Sequence, residues 1–236
     1  MSKTNGATEK KKVSRLDTFD TPTGGEEMAM KRDKTIQIAA PKFERIEVTI
    51  KGTSQYVQNK FSAKAMNAMV EKQEAGSQAK KGKQRDAKDF DACYEAAKHV
   101  AVEGWCGIPA PALRNAMIAA CGIVGFKMTW AKKTLFVEAG GVDRDDGTPL
   151  VRITKGEPHC VKSSVRNASG VFDIRPRPTW DAGWEAVVTV RYDADMFERA
   201  DVCNLLARAG MQVGIGEGRP DSRRSAGLGW GLFELK

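Results

Sequence analysis

The chain of 236 residues has no long run of apolar residues, and this absence argues against a membrane-spanning helix. No stretch approaches the roughly 18–20 consecutive apolar residues that such a helix needs. The first residues are polar and rich in lysine, and no apolar segment follows them as it would in a secretory signal. We therefore expect a cytoplasmic protein that has no membrane partner.

The sequence is also poor in residues that hold transition metals. It has only five cysteines, none at a CxxC spacing, and its two histidines, His99 and His159, lie far apart in the chain. Zinc fingers and ribbons need closely spaced pairs of ligands around a tetrahedral ion. We expect reduced, buried thiols, no metal and no cofactor. The cysteines are Cys93, Cys106, Cys121, Cys160 and Cys203.

The common catalytic motifs are missing as well. The sequence contains no GxSxG elbow, no HExxH and no GxxxxGK[ST] phosphate loop. Neighbouring acids such as Asp145 and Asp146 lie in a glycine-rich turn and are typical of a solvated loop. We expect a protein that is not an enzyme. A metal-dependent nuclease that uses Asp143, Asp145, Asp146 or Asp173 remains an alternative.

Positive charge is in excess. The chain has 38 lysines and arginines against 30 acidic residues, a net charge of +8. This balance favours anionic partners, above all nucleic acid. Between residues 127 and 177, ten basic residues stand against six acids, with Trp130 and Trp180 interleaved.

Cations beside aromatic rings are the usual means of holding single-stranded bases, through phosphate pairing and stacking together. The alternative is a solvated basic face with tryptophans that belong partly to the core. The candidate binding residues of this basic middle segment are Lys127, Trp130, Lys132, Lys133, Arg166, Arg175 and Arg177.

A glycine-rich stretch near the C-terminus is the most unusual part of the sequence. Seven of the 23 glycines lie between residues 210 and 231. Glycines permit close backbone approach, so that amides can reach phosphates, and guanidinium groups match phosphate oxygens. A helix precedes this stretch, which is the wrong order for a dinucleotide-binding fingerprint. A purely structural turn between helix and strand is the alternative. The candidate binding residues here are Gly214, Gly216, Gly218, Arg219, Arg223 and Arg224.

Hydrophobic periodicity predicts short strands alternating with amphipathic helices. The predicted strands cover 45–52, 134–138, 150–154, 171–175, 185–191 and 228–235, with 171–175 and 185–191 paired as a hairpin with a long loop. The predicted helices cover 61–74, about 110–121 and 195–209, and glycines at 122 and 210 end the last two.

This order predicts an α+β fold, a ferredoxin-like or RRM-like antiparallel sheet with helices on one face. We expect insertion loops near residues 76–100 and 140–168 within a domain of residues 35–236. Residues 1–34 contain few branched aliphatic side chains and are predicted to form a disordered basic arm. Such an arm either touches nucleic acid or a neighbouring subunit, or is only a solvated tail.

Three segments resemble a known family. Residues 46–55 (IEVTIKGTSQ), 108–116 (IPAPALRNA) and the glycine-rich stretch from 214 to 231 are similar to the RAMP superfamily, the RRM-like backbone subunits of CRISPR effector complexes. The same layout resembles uncharacterised bacteriophage proteins of similar length.

The resemblance implies a protein that holds single-stranded guide RNA along its phosphates and stacks head to tail into filaments. It implies contacts from Arg114 at the proline-led helix, and from Gly214, Gly216, Gly218 and Arg219. Pro111 and Asn115 stand where the family often has serine and glycine.

Together these features predict a protein that binds single-stranded RNA or DNA and oligomerises along the strand, as a guide-RNA subunit or a phage single-stranded DNA-binding protein would. A phage structural or protein-interaction factor that keeps the fold without binding nucleic acid is the first alternative. The metal-dependent nuclease is the second.

Overall fold

An antiparallel sheet of seven strands lies at the centre of the molecule. The computed structural model describes residues 38–61, 67, 70–71, 89–166, 172–222 and 227–236. The strands are β1 (Phe43–Gly52), β2 (Tyr56–Val57), β3 (Gly107–Pro109), β4 (Leu135–Glu138), β5 (Gly141–Val142), β6 (Pro149–Lys155), β7 (His159–Arg166), β8 (Phe172–Trp180), β9 (Glu185–Asp193) and β10 (Phe233–Leu235).

Four helices lie between strands in the described part of the chain. They are α1 (Phe90–Ala96), α2 (Ala110–Ile123), α3 (Met128–Thr134) and α4 (Arg199–Arg208), and a π-helical turn, Ala209–Val213, continues α4. Within the described part of the chain, no helix is long and apolar enough to cross a membrane.

The central strands have the order β10–β1–β9–β4, and every pair is antiparallel. Helix α2 lies in the connection from β1 to β4, and α4 lies in the connection from β9 to β10. This is the 4-1-3-2 arrangement of a ferredoxin-like sheet. Strand β6 also pairs with β9, and β3 and β5 pair with β6. The predicted α+β class with an antiparallel sheet is confirmed.

The alternation in β1 places its apolar side chains on the helix side of the sheet. Ile46 and Ile50 are buried, and β9 contributes Ala186, Val188 and Val190 to the same core. Helix α2 adds a stripe at helical spacing, and each large apolar side chain buried there stabilises the fold by about 1.5–3 kcal/mol. The side chains of this stripe are buried: Leu113, Met117, Ala120 and Cys121.

A second sheet of three strands has the order β2–β8–β7. The predicted hairpin between 171–175 and 185–191 is therefore wrong, because β8 pairs with β7 and β2 whereas β9 lies in the central sheet. The loop predicted after residue 175 contains Pro176 and Pro178, and both of these prolines lie inside β8. Strand β7 (HCVKSSVR) escaped prediction because its sequence shows little apolar alternation.

The last helix ends later than predicted. Gly210 does not cap it, because the chain continues as the π-helical turn and leaves it only at Gly214. A Cβ at Gly210 would lie 2.2 Å from the Phe233 carbonyl oxygen, so this glycine permits close packing against β10. The final strand is also shorter than the predicted 228–235.

Several predictions fall wholly or largely outside the described residues. They concern the arm of residues 1–34, most of the helix 61–74 and most of the loop that follows it. The division into an arm and a domain of residues 35–236, with its insertion loops, stays a prediction.

Candidate nucleic-acid interface

A cleft of about 160 Å³ separates the first half of α2 from the glycine-rich stretch. We call it the loop cleft. The α2 side presents Asn115, and the other side presents Arg219 and Asp221. The structure thus brings the proline-led helix together with Gly214, Gly216 and Arg219, although about 100 residues separate them in sequence. The lining is Ala112, Asn115, Ala116, Val213, Gly214, Ile215, Gly216, Arg219 and Asp221.

Two glycines determine the backbone conformation of the glycine-rich stretch. Gly216 and Gly218 both have φ of +77°, where an L side chain is strained. A Cβ at Gly216 would lie 2.5 Å from the Val57 carbonyl oxygen, and one at Gly218 would lie 2.4 Å from the Trp230 ring. These contacts give the glycines a structural role, whatever the cleft binds.

Some backbone amides of the stretch already have partners. The Gly214 amide donates to the Ala209 carbonyl over 2.8 Å, and the Glu217 amide donates to the Val57 carbonyl over 2.9 Å. Side chains rather than these amides must therefore supply donors to a ligand in the loop cleft. Arg219 is half-buried at the cleft and donates from Nη1 to the Gly216 carbonyl over 3.1 Å.

Arg114 lies on α2 but is turned toward the edge of the sheet. Its Nε donates to the Leu135 carbonyl over 2.7 Å, and its Nη2 donates to the Lys132 carbonyl. Its Cζ also lies 5.2 Å from the centre of the Phe136 ring. The guanidinium thus binds the end of α3 and the start of β4 to α2, as cations at helix C-termini commonly do.

Helix α3 exposes four of the predicted binding residues together. We call them the α3 patch: Lys127 at the N-cap, Trp130, Lys132 and Lys133. The Trp130 side chain is 50% exposed, and the Lys127 ammonium lies 5.6 Å from the centre of its ring. An exposed indole beside the Lys127 ammonium, with Lys132 and Lys133 exposed on the same short helix, can stack a base while the lysines pair with phosphates nearby.

The candidates in the second sheet have other surroundings. Arg175 Nε lies 3.0 Å from Asp173 Oδ2. Arg177 is 5% exposed and forms an ion pair with Glu217, in which its Nη2 donates to Glu217 Oε1 over 3.3 Å. Trp180 is fully buried against Tyr56, which agrees with the alternative in which this tryptophan belongs to the core. The side chains of Arg166, Arg223 and Arg224 lie outside the described residues.

Sequence reasoning missed a buried polar cluster, which we call the Lys60 cluster. The Lys60 ammonium lies 2.5 Å from Asp143 Oδ1 and 2.7 Å from Asp145 Oδ2. His99 Nδ1 lies 2.9 Å from Asp143 Oδ2, and both Lys60 and Asp143 are buried. More than 80 residues separate Lys60 from the two aspartates, so no local pattern signals the contact.

The contacts within the Lys60 cluster favour the charged forms of Lys60 and Asp143. Burial alone would raise the pKa of Asp143, but hydrogen bonds from Lys60, the Asp145 amide and His99 outweigh it and lower that pKa. Burial alone would lower the pKa of Lys60, but its bonds to Asp143 and Asp145 raise that pKa. The cluster is therefore an ion pair within the fold.

Three side chains at the same place, His99, Asp143 and Asp146, have ligand atoms within 4.8 Å of one another and could hold a metal ion. The Lys60 ammonium already neutralises Asp143, which lowers the attraction of this group for a further cation. Asp173, the fourth acid of the nuclease alternative, lies instead on β8 beside Arg175.

Comparison with known proteins gives a weak likeness to solved structures. No family model matches the chain, and no curated protein matches it. Among solved structures, the chain is similar to the crystal structure of Cmr6 from Pyrococcus furiosus, with a TM-score of 0.37 and 11% sequence identity. The match covers 82% of this chain and 98% of that one. A likeness at this level identifies neither a family nor a function.

Proposed function

We propose that the chain binds single-stranded nucleic acid across a surface that runs from the loop cleft, over the first half of α2, to the α3 patch. The observation that carries the proposal is the α3 patch, where an exposed tryptophan stands among three exposed lysines. Arg114 links the two ends of the surface, because it lies on α2 and donates to the Lys132 carbonyl of α3. The proposal includes the relation to the RAMP superfamily that the sequence motifs suggest.

The chemistry is phosphate neutralisation combined with stacking. The three lysines pair with successive phosphates, and the Trp130 ring stacks on a base between them. In the loop cleft, Arg219 and Asn115 supply side-chain donors to the strand backbone, with Asp221 as the one acid of the lining. Neutralising three phosphates of a single strand gives a log–log salt slope of about −2.

The α3 patch gives the first test. We expect Lys127→Gln/Lys132→Gln/Lys133→Gln to weaken binding of a labelled single strand by about tenfold or more at low salt. The salt slope should become less negative by about 2. Fluorescence anisotropy with single-stranded RNA, single-stranded DNA and duplex DNA at several salt concentrations measures both quantities.

A charge-matched variant controls this experiment. This control removes three positive charges near the C-terminal end of β1, where the lysines pair with Glu234 and Glu185. The variant is Lys51→Gln/Lys155→Gln/Lys236→Gln. An equal loss of affinity in both variants would show that only net charge matters and would contradict the proposal. The ratio of RNA to DNA affinity distinguishes a guide-RNA role from a role with phage single-stranded DNA.

We further propose that the chain binds without cleaving and that copies assemble along one strand in the cytoplasm. Exposed apolar side chains at the end of α2 and in the π-helical turn support assembly: Ile123, Val124 and Met211 are 52%, 49% and 69% exposed. The same surface favours the alternative of a protein-interaction factor. Self-assembly that ignores salt, without strand binding, would support that alternative.

A further inference from the structure

The face of the central sheet that points away from the helices carries a cluster of aromatic rings and arginines. Arg45 of β1 and Phe136 of β4 both pair in register with Arg191 of β9. The neighbouring residues in each strand, such as Ile46 and Val190, point into the core. Since side chains alternate along a strand, Arg45, Phe136 and Arg191 share the opposite face. Phe43, two residues before Arg45, joins them there.

The members of this cluster are in mutual contact. The Arg191 guanidinium lies 4.7 Å from the centre of the Phe136 ring and 4.8 Å from that of Phe43. The two rings meet edge to face with their centres 5.9 Å apart. Arg45 Nε lies 2.8 Å from Glu138 Oε1, which holds it beside Arg191. We call Phe43, Arg45, Phe136 and Arg191 the sheet platform.

The sheet platform is open to solvent and combines aromatic rings with two arginines. Phe43 is 38% exposed, and the side chains of Arg191 and Arg45 are 37% and 69% exposed. Arg114 approaches the same Phe136 ring from α2, so the guanidinium groups of Arg114 and Arg191 both contact this ring. The carboxylate of Glu138 offsets one of the positive charges, and Glu47 and Asp193 lie on the same face of the sheet, with Asp193 opposite Phe43 in register. An apolar core contact would need neither the exposed Phe43 ring nor the guanidinium groups around the half-buried Phe136 ring.

We infer that the sheet platform binds an unpaired nucleobase, stacked on the exposed ring and guanidinium faces, with the arginines beside the flanking phosphates. Bases stack on phenylalanine rings and on arginine planes in single-stranded complexes. The occupant is a base of the strand held at the α3 patch, because Arg114 contacts both Lys132 and Phe136 and so joins the two surfaces. The inference therefore rests on the proposed function.

Abasic oligonucleotides separate base stacking from phosphate pairing. We compare a short single strand with one of equal length whose sugars lack bases, in a DNA form and an RNA form. In the Phe43→Leu/Phe136→Leu variant, we expect the preference for the base-containing strand to fall roughly 5- to 100-fold, while the affinity for the abasic strand stays unchanged. The matched control is Phe61→Leu, which removes another exposed ring, 55% exposed, outside the platform.

A second variant and a direct readout keep the test decisive if the double variant does not fold. Arg191→Lys keeps the charge but removes the planar group, and it should lower the same preference. Photo-crosslinking of a strand that carries 5-iodouracil should label wild-type peptides containing Phe43 or Phe136.

The possible outcomes discriminate the two proposals. If the wild-type protein binds neither strand, the proposed function fails and the inference fails with it. If the wild type binds the base-containing strand but the platform variants keep its full preference, the inference alone is wrong. Crosslinks confined to the α3 patch would also overturn the inference while they support the proposed function.

Discussion

Lys60 carries a buried positive charge, and the stability of the fold depends on how that charge is compensated. Taking an ammonium group out of water costs several kcal/mol unless opposite charges and hydrogen bonds compensate. Asp143 and Asp145 supply that compensation at 2.5 and 2.7 Å. Lys60 follows β2, and the two aspartates follow β5, so the cluster connects these two parts of the chain. His99 adds a further bond to Asp143.

Removing this ammonium group should therefore be costly. We expect Lys60→Met to lower the free energy of unfolding by about 3–5 kcal/mol, because it leaves the Asp143 carboxylate buried without its cation. Urea denaturation at pH 7 measures the loss. The control Lys51→Met removes an exposed lysine that lies 3.8 Å from Glu234, and it should cost less than about 1 kcal/mol.

The pKa shifts set the pH window of the Lys60 cluster. The lowered pKa of Asp143 gives stability above its unfolded value near 4, which is lost as the pH falls through the folded pKa. The raised pKa of Lys60 gives stability below its unfolded value near 10.4, which is lost as the pH rises through the folded pKa. If Lys60→Met and wild type showed the same stability and the same acid limb, the cluster would contribute nothing.

Residue type alone could not show which arginines and lysines form hydrogen bonds or ion pairs with other parts of the chain. The sequence indicated Arg114 through the resemblance at the proline-led helix and Arg177 as part of the basic middle segment. It could not show that Leu135, 21 residues away, accepts from Arg114, or that Arg177 donates to Glu217, 40 residues away. The lysines of α3 lie close together in sequence, so their common place on one short helix could be predicted.

At the scale of elements, local periodicity predicted most of the central sheet and little of the second one. β1, β4, β6 and β9 alternate apolar and polar residues or follow clear turn signals, so their positions were found. The pairing of β8 with β7 and β2 depends on contacts between distant residues, and Pro176 and Pro178 concealed it. The glycines indicated a turn before the final strand, but they did not show the close packing that requires them.

The glycine-rich stretch offers a test of that packing with a matched control. Gly216 and Gly229 have φ of +77° and +73°, but a Cβ meets the Val57 carbonyl at Gly216 and open space at Gly229. Gly229→Ala should therefore cost about 1–2 kcal/mol of stability through backbone strain alone. Gly216→Ala should cost at least about 1 kcal/mol more, because the loop must also move away from β2.

Thermal melts and urea titrations of the two variants measure this difference. Equal losses would mean that the loop relaxes freely and that Gly216 does not position the loop cleft. A larger loss at Gly216, together with weaker strand binding, would connect the packing of this stretch with the proposed interface.

At the scale of the whole molecule, the central sheet separates the two surfaces that we propose bind a single nucleic-acid strand. Helices α2 and α4 cover one face of the sheet, and the sheet platform lies on the other, with β4 and Arg114 at the edge between them. The α+β class and its antiparallel sheet followed from the order of predicted elements. The platform did not, because it depends on the register of β1, β4 and β9, which no single segment encodes.

Assembly along a strand gives the prediction for the whole molecule. Ile123 lines a cleft of about 300 Å³ with Gln212 and Pro220, and the exposed Met211 lies next to Gln212 in the chain. Exposed apolar patches of this kind commonly mark protein contacts. If copies meet there, strands of increasing length should recruit an increasing number of copies in analytical ultracentrifugation.

The variant Ile123→Ser/Met211→Ser should bind a short strand with unchanged affinity and remain at one copy on long strands, because only the contact between copies is weakened. Val102→Ser/Val142→Ser changes two other exposed side chains, 66% and 45% exposed, and should assemble as the wild type does. A wild-type protein that binds long strands as a single copy would contradict assembly while leaving strand binding intact. Assembly of the wild type without any strand would instead favour the protein-interaction factor, because the apolar contact would then act independently of the basic surface.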